Sequence, residues 1–409
     1  MNLRQDAWQI IRTAIHDAQP AEAVRRAMDN LTFGSGAILP VAIGKAAWPM
    51  AKAACDHLGS RVRDGIVITK YHHSQGAIGP LRIREAGHPV PDVNAFAATA
   101  QAMEQVENLS AGDTVLFLIS GGGSALFEQP LIPAADLERL TGELLACGAD
   151  IIEMNTIRKR FSAVKGGRFA ALCAPAQVQA VILSDVVGDR LDMIASGPAC
   201  PDSTTAQDAA AIAEKYHLTT TPQMTELLYT ETPKVLHNVS TTITGSVRQL
   251  CRSAERVCRE LGYTPIMLTD CLCCTARDAG VFLSNIARSH ADNGQKLAFL
   301  AGGETVVHLT GSGLGGRNQE LALAAAPGLA GLSNTAVFSF GSDGTDGPTD
   351  AAGGYADGET LGALRNAGLD VFTVLQNNDA YHALEAVDGL IKTGPTGTNV
   401  NDLAVLRIG

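Results

Sequence analysis

The sequence contains no run of ~20 uninterrupted apolar residues, the length a membrane-spanning helix requires. Its first residues, MNLRQDAWQIIRTAIHDA, lack the basic head, apolar core and cleavage site of an export signal and alternate instead at helical spacing. A basic excess is missing too: 31 Lys and Arg face 42 Asp and Glu, for a formal net charge of −11. That balance argues against nucleic acid or an anionic membrane as partner. An anionic substrate must then be held by a few well-placed cations. The nine cysteines follow no disulfide framework, so reduced thiols and a cytoplasmic location are expected. Cys271 and Cys274 frame a C-x-x-C around Cys273, yet no second cysteine or histidine pair follows at zinc-site spacing. These three are expected to be buried or incidental thiols. Internal repeats and low-complexity tails are absent as well.

What is present is ample apolar material. At 409 residues and 46% hydrophobic, the chain suggests two domains with substantial cores. Apolar runs alternate with helical patterns, the signature of α/β layers around a largely parallel sheet. The expected strands are 38–44, 65–69, 82–87, 114–120 and 179–185, and their continuous hydrophobicity predicts helices on both faces. The chain turns polar and threonine-rich after Pro201, and the boundary is placed near Glu231–Leu236, giving domains 1–235 and 236–409. A fresh β-α-β pattern follows in VSTTITG, SVRQLCRSAERVCRELG and TPIMLTD. Further strands are expected in KLAFLAGG, TVVHLT, TAVFSFGSDG and DVFTVLQ.

Glycine supplies 42 residues, and its richest clusters come directly after strands. In open α/β sheets ligands bind at the carboxyl ends of the strands, where glycine permits close backbone approach. ISGGGSALFE places Ser120, Gly121, Gly122, Gly123 and Ser124 at such a turn, a suitable anion site of backbone N–H groups. Ser124 lacks the second glycine of a hydrolase elbow. Lys45, one residue past a strand in VAIGKAA, would point into the crevice and could neutralise phosphoryl or carboxylate oxygens. Asp185 ends a strand, with Asp189 and Asp192 after it; such aspartates hold Mg²⁺, act as bases, or merely cap turns. Asp343, Asp346 and Asp350 fail the EF-hand spacing and read either as a looser carboxylate cluster for Mg²⁺ or as ordinary Asp-Gly turns.

TGSGLGGRNQE (Thr310–Glu320) satisfies two phosphate-loop patterns and completes neither. Gly311, Gly313 and Gly316 fit G-x-G-x-x-G, but the acidic partner ~20 residues on is misplaced. The Walker A spacing ends on Arg317 and Asn318 in place of lysine and a hydroxyl. What survives is a glycine turn, including Gly315, that delivers an arginine to a strand-end cleft, where its two-pronged cation suits a carboxylate or phosphoryl group.

Taken together, VAIGKAA, AGHPVPD, LISGGGSAL, RKRFSAVKGGRFA, LSDVVGD, IASGP, AGGETVVHLTGSGLGGRNQE, SFGSDGTDGPTDAAG and GPTGTNVNDL, in order from about residue 41 to 403, make the chain resemble the class II glycerate kinases, whose C-terminal part is called the MOFRL domain. The resemblance implies a Rossmann-like three-layer N-terminal domain plus a smaller α/β domain of MOFRL type, facing each other across a cleft. It implies an ATP- and Mg²⁺-dependent kinase making 2-phosphoglycerate from D-glycerate, with active-site cations at Lys45 and Arg317. A glutamate-containing segment common in the family is replaced here by CTARDAG (Cys274–Gly280).

The expected assignments follow. Lys45, Arg317 and Asp185 are catalytic. Ser120, Gly121, Gly122, Gly123, Ser124, Gly313, Gly315, Gly316 and Asn318 bind substrate or nucleotide. Asp189, Asp343 and Asp346 associate with metal. Glycerate and ATP are the partners, without nucleic acid or membrane, and a homodimer is among the allowed assemblies. One rival is a nicotinamide-dependent hydroxypyruvate reductase, a name often attached to this family, for which His88 would be the motif histidine, although His-Pro reads more simply as a turn. Another is a binding protein that kept the cleft and lost the chemistry.

Overall fold

The structure, a computed structural model, describes residues 3–291 and 294–409; Met1 and Asn2 of the expected first helix lie outside them. The apolar runs of the first half become strands because both of their faces are covered. β1 (Ile38–Ile43), β2 (Ile66–Lys70), β3 (Arg82–Ala86), β4 (Thr114–Ile119), β5 (Gln177–Leu183) and β6 (Val239–Gly245) form one sheet in the order β3-β2-β1-β4-β5-β6. Every pairing from β3 across to β5 is parallel. All residues of β1 and β4 are buried. On one face Phe117, Phe127 and Phe169 pack with ring centroids 4.9–5.7 Å apart. The strand order reverses between β1 and β4, the point of a parallel α/β sheet at whose strand carboxyl ends ligands commonly bind.

The second sheet is mixed rather than largely parallel. β7 (Thr264–Leu272), β8 (Leu297–Gly303), β9 (Thr335–Gly341), β10 (Gly353–Asp357), β11 (Leu390–Ile391) and β12 (Asp402–Ile408) lie in the order β11-β10-β9-β12-β8-β7. Only β7 and β8 run parallel; β12 is antiparallel to both β8 and β9. Two expected strands are corrected. TVVHLT makes a single bridge, Val306 to Thr275. DVFTVLQ is the helix Val371–Gln376, started by the Asp370 carboxylate accepting from Thr373 N at 2.9 Å.

The chain divides into two compact units, residues 23–244 and residues 245–409 joined by the segment ending at Glu22. The division falls at 244/245 instead of the expected 235/236 because β6 completes the first sheet. The N-terminal helix Leu3–Asp17 joins the second unit because Arg407 of β12, fully buried, binds it. The guanidinium donates to Leu3 O at 2.6 Å and to Asp6 at 2.7 Å, and lies 4.3 Å from the Tyr263 ring centroid. Arg256 adds an ion pair to Asp17 at 2.8 Å. No helix among the described residues is long and apolar enough to cross a membrane.

Candidate active site

At the reversal point of the first sheet, the turns after β1 and β4 are stitched together. Lys45 N donates to Gly121 O at 2.9 Å. Ser120 Oγ donates to Ile43 O at 3.0 Å and accepts from Ala46 N at 3.1 Å. Gly44, at φ 107°, has no room for a side chain: a Cβ would overlap Ser120. Ser120, expected to contact substrate or nucleotide, is buried and ties the two turns together. Gly123 is likewise filled in, with Ala195 2.7 Å from where its Cβ would stand.

What faces this turn is a small polar set. Gly122 takes the left-handed conformation (φ 85°), and a Cβ there would meet His88 Nε2 at 3.0 Å and Lys45 Cε at 3.3 Å. A Cβ on Gly121 would overlap the Asp185 carboxylate. Lys45, His88 and Asp185 thus gather on two residues that must be glycine. Burial lowers the pKa of His88, and the charges of Lys45, Lys70 and His73 lower it further, so the imidazole is neutral at neutral pH.

The single helical turn Gly123–Leu126 after the glycines is held from below. Lys165 Nζ, fully buried, donates to Ser124 O at 2.9 Å and Phe127 O at 3.0 Å and pairs with Glu128 at 2.8 Å. Burial pulls Lys165 down to about 8 while Glu128 pulls it back up. Ser124 Oγ meets Ser196 Oγ at 3.0 Å, and Ser196 donates to Asn155 Oδ1 at 2.8 Å. Ala195 and Ser196 both carry positive φ (51° and 61°), a strain that persists only where surroundings enforce it. Asp189, also at positive φ (52°), has a buried Oδ1 with no hydrogen-bond partner.

In the second unit the glycine loop is not an open cradle. Thr310 N and Gly311 N donate to Asn378 Oδ1 (2.7 and 2.9 Å), and Ser312 N to Asn377 Oδ1 (3.2 Å). Gly313 N donates to Asn377 O (2.8 Å) and Leu314 N to Asp379 Oδ1 (2.9 Å). Five successive amides are spent on residues 377–379. Gly311 and Gly313 exist for this close approach, since a Cβ on either would overlap or crowd Asn377 or Asp379, and Gly315 lies against Ala380. Gly316 faces Asp346, where a Cβ would overlap the carboxylate. Gly313, Gly315 and Gly316, expected to bind substrate or nucleotide, are placed by these close approaches against residues 377–380 and Asp346.

Asp346, expected near metal, and Asn318, expected to bind ligand, are hydrogen-bonded to one another. Asp346 caps the helix Arg317–Leu329 from outside, accepting from Asn318 N (3.2 Å), Gln319 N (2.9 Å) and Asn318 Nδ2 (3.3 Å). Burial pushes it up to about 7 against these donors, with the Asp402 charge adding to the rise. Asn318, also buried, receives Ser339 Oγ at 2.5 Å. Arg317, the first residue of that helix, is already gripped: Nε and Nη2 bind Asp402 at 2.5 and 3.1 Å, and Nη1 binds Glu304 at 2.8 Å. Burial alone would weaken its charge, but Asp402, Glu304 and Asp346 hold it above the ordinary arginine range. Asp343 closes a local turn onto Thr345 N at 3.0 Å, and its carboxylate shares the space over Gly341 with Asp402.

Two family models match the sequence: a domain of unknown function (DUF4147) over residues 6–229 and the MOFRL family over residues 297–402. The D-glycerate 2-kinase of Thermotoga maritima is 48% identical over 99% of this chain and 98% of its own. The chain belongs to the class II glycerate kinase family. A second member, the glycerate 2-kinase of Pyrococcus horikoshii, is 38% identical over 99% of this chain and 97% of its own. The crystal structure of the Thermotoga maritima glycerate kinase matches with a TM-score of 0.95, covering 100% of this chain and 99% of that one.

Asp189 belongs to one unit and Asp343 and Asp346 to the other. Among the described residues, no three His, Cys, Asp or Glu side chains are grouped to hold a metal ion. The orphaned Asp189 Oδ1 is the atom that fits a cation, whereas both Asp346 oxygens are taken by N–H donors. His88, Lys165 and Asn378 escaped assignment from sequence. The first two sit in quoted motifs, but nothing local marked Asn378 as the anchor of a loop 65 or more residues away. All nine cysteines are free, and Cys271, Cys273 and Cys274 are exposed.

Proposed function

We propose that this protein transfers the γ-phosphoryl group of ATP to the 2-hydroxyl of D-glycerate, giving 2-phosphoglycerate and ADP. The observation that carries the proposal is the gathering of Lys45, His88 and Asp185 on Gly121 and Gly122, at the sheet's reversal point. Phosphoryl transfer asks a protein mainly for positioning and charge stabilisation. Lys45 supplies a cation at the crevice, and the glycines let phosphoryl oxygens approach the backbone. Asp185 orients the accepting hydroxyl or takes its proton. The kinase names borne by relatives of nearly identical length support the same chemistry.

Mg²⁺ neutralises nucleotide phosphates when bound, and a kinase needs only one or two carboxylates to retain it. Asp189, through its unpartnered oxygen, and Asp185 are the residues proposed to do so. Arg317 is assigned to a carboxylate or phosphoryl oxygen at the mouth of its own helix, with Glu304 the partner it would exchange. Hydride transfer to hydroxypyruvate gains nothing from this geometry: His88 beside Lys45 is a deprotonated imidazole and a poor proton donor.

The test is incubation of glycerate with MgATP and identification of the product by phosphorus NMR. A 2-phosphoglycerate resonance is expected, with Lys45→Ala slowed by about 10²–10³-fold and Arg317→Ala also strongly slowed. Turnover within a few-fold of wild type in both variants would discard these roles. Oxidation of NADH by hydroxypyruvate would replace the kinase with a reductase.

A further inference from the structure

A cavity of about 510 Å³ opens between the Pro89–Phe96 segment and the helix Ala134–Ala146. It sits just beyond the carboxyl end of β3, and its walls are mainly apolar, with Val90, Val93 and Leu145 left exposed. Two of its lining groups lead directly to the glycine turn. Pro89 follows His88, whose ring lies on Gly122. Arg158, at the cavity's inner end, donates through Nη2 to Ser124 O at 3.2 Å. Its Nε is buried and has no hydrogen-bond partner.

We propose that this cavity receives the adenine base of ATP, placing the nucleotide's phosphates toward Gly121–Ser124. The proposal rests on the kinase function above and specifies where the donor nucleotide is held. Size and lining fit a small-molecule site: such pockets run ~300–1,000 Å³, largely apolar with a few polar groups that set orientation. The polar groups complement adenine in particular. Thr141 Oγ1 already donates to Leu137 O at 2.8 Å and so offers only lone pairs, and Glu138 on the rim is a second acceptor. These suit the exocyclic amine. Phe96 supplies an aromatic face for stacking.

Gly142 lines the cavity from within a helix, and a Cβ there meets nothing within 4 Å. Gly142→Phe therefore fills the cavity without a clash in the fold, and replacing a helical glycine favours the helix. We expect Gly142→Phe to raise the KM for ATP at least tenfold while the KM for glycerate stays within twofold and the melting temperature does not fall. Adenosine should compete with ATP in wild type and not in Gly142→Phe, whereas inorganic tripolyphosphate should inhibit both alike. An unchanged KM for ATP in folded Gly142→Phe overturns the proposal. So does a change in oligomeric state at unchanged KM, which would give the surface to a second copy of the chain. If wild type forms no phosphoglycerate, the kinase function fails separately, and equilibrium binding of adenosine to wild type and Gly142→Phe still decides the cavity.

Discussion

His88 and Lys45 share one glycine, and that proximity makes the imidazole a reporter on the lysine. Burial depresses the pKa of His88, and the neighbouring Lys45 charge adds to the fall, because protonation would place a second cation against the lysine. The sign follows directly. A histidine whose folded pKa is lowered binds fewer protons than in the unfolded chain, so its contribution favours folding above the ordinary value near 6.5 and is lost as pH falls below it. Activity should follow the same direction. The kcat/KM of wild type is expected to show an acid limb below about pH 6.5 that flattens in His88→Gln. A limb that persists unchanged in that variant would assign it to another group. Arg317 illustrates the opposite case, a cation whose carboxylate partners keep it charged at every accessible pH.

Among the elements, legibility tracked burial. β1 and β4 could be read from short continuous apolar runs rich in β-branched residues, all six residues of each being buried. The six-residue run in DVFTVLQ fits strand and helix equally well, and the Asp370 cap decided for helix. β12 was invisible because Asp402 and Arg407 make DLAVLRI look half polar, although every residue of it is buried. The glycine loop shows the same limit at the site. Its spacing could be read as a phosphate turn, but its real partners, Asn377–Asp379, lie far along the chain and no local pattern points to them. Removing the distant cap tests this packing role. Asp346→Ala leaves the first turn of Arg317–Leu329 without its acceptor and should cost about 1–2 kcal/mol, measured by urea denaturation. A rise in the KM for ATP with unchanged stability would instead give this corner a ligand-binding role.

For the whole molecule, the informative contact joins the ends of the chain. Arg407 is fully buried, and its charge is matched by Asp6 and by the main-chain oxygen of Leu3. Arg407→Met keeps the volume and removes the match. It is expected to cost roughly 3 kcal/mol by uncovering a partnered carboxylate, and to raise hydrogen exchange across Leu3–Asp17 before any other helix. Equal protection of that helix in the variant would show that Arg256–Asp17 and apolar packing suffice. The split between units was only partly legible for the same reason: a helix at the start of a sequence gives no sign that it belongs with a strand at the far end.

That pairing also sets a timetable. Leu3 leaves the ribosome 404 residues ahead of its partner, an interval of about 20–80 s at common elongation rates. The amphipathic first helix waits with its apolar face uncovered until the helix Val247–Glu260 emerges to pack on it, and its polar tie to Arg407 closes only when β12 is made. Nascent chains halted before β12 should therefore be the species that chaperones hold longest.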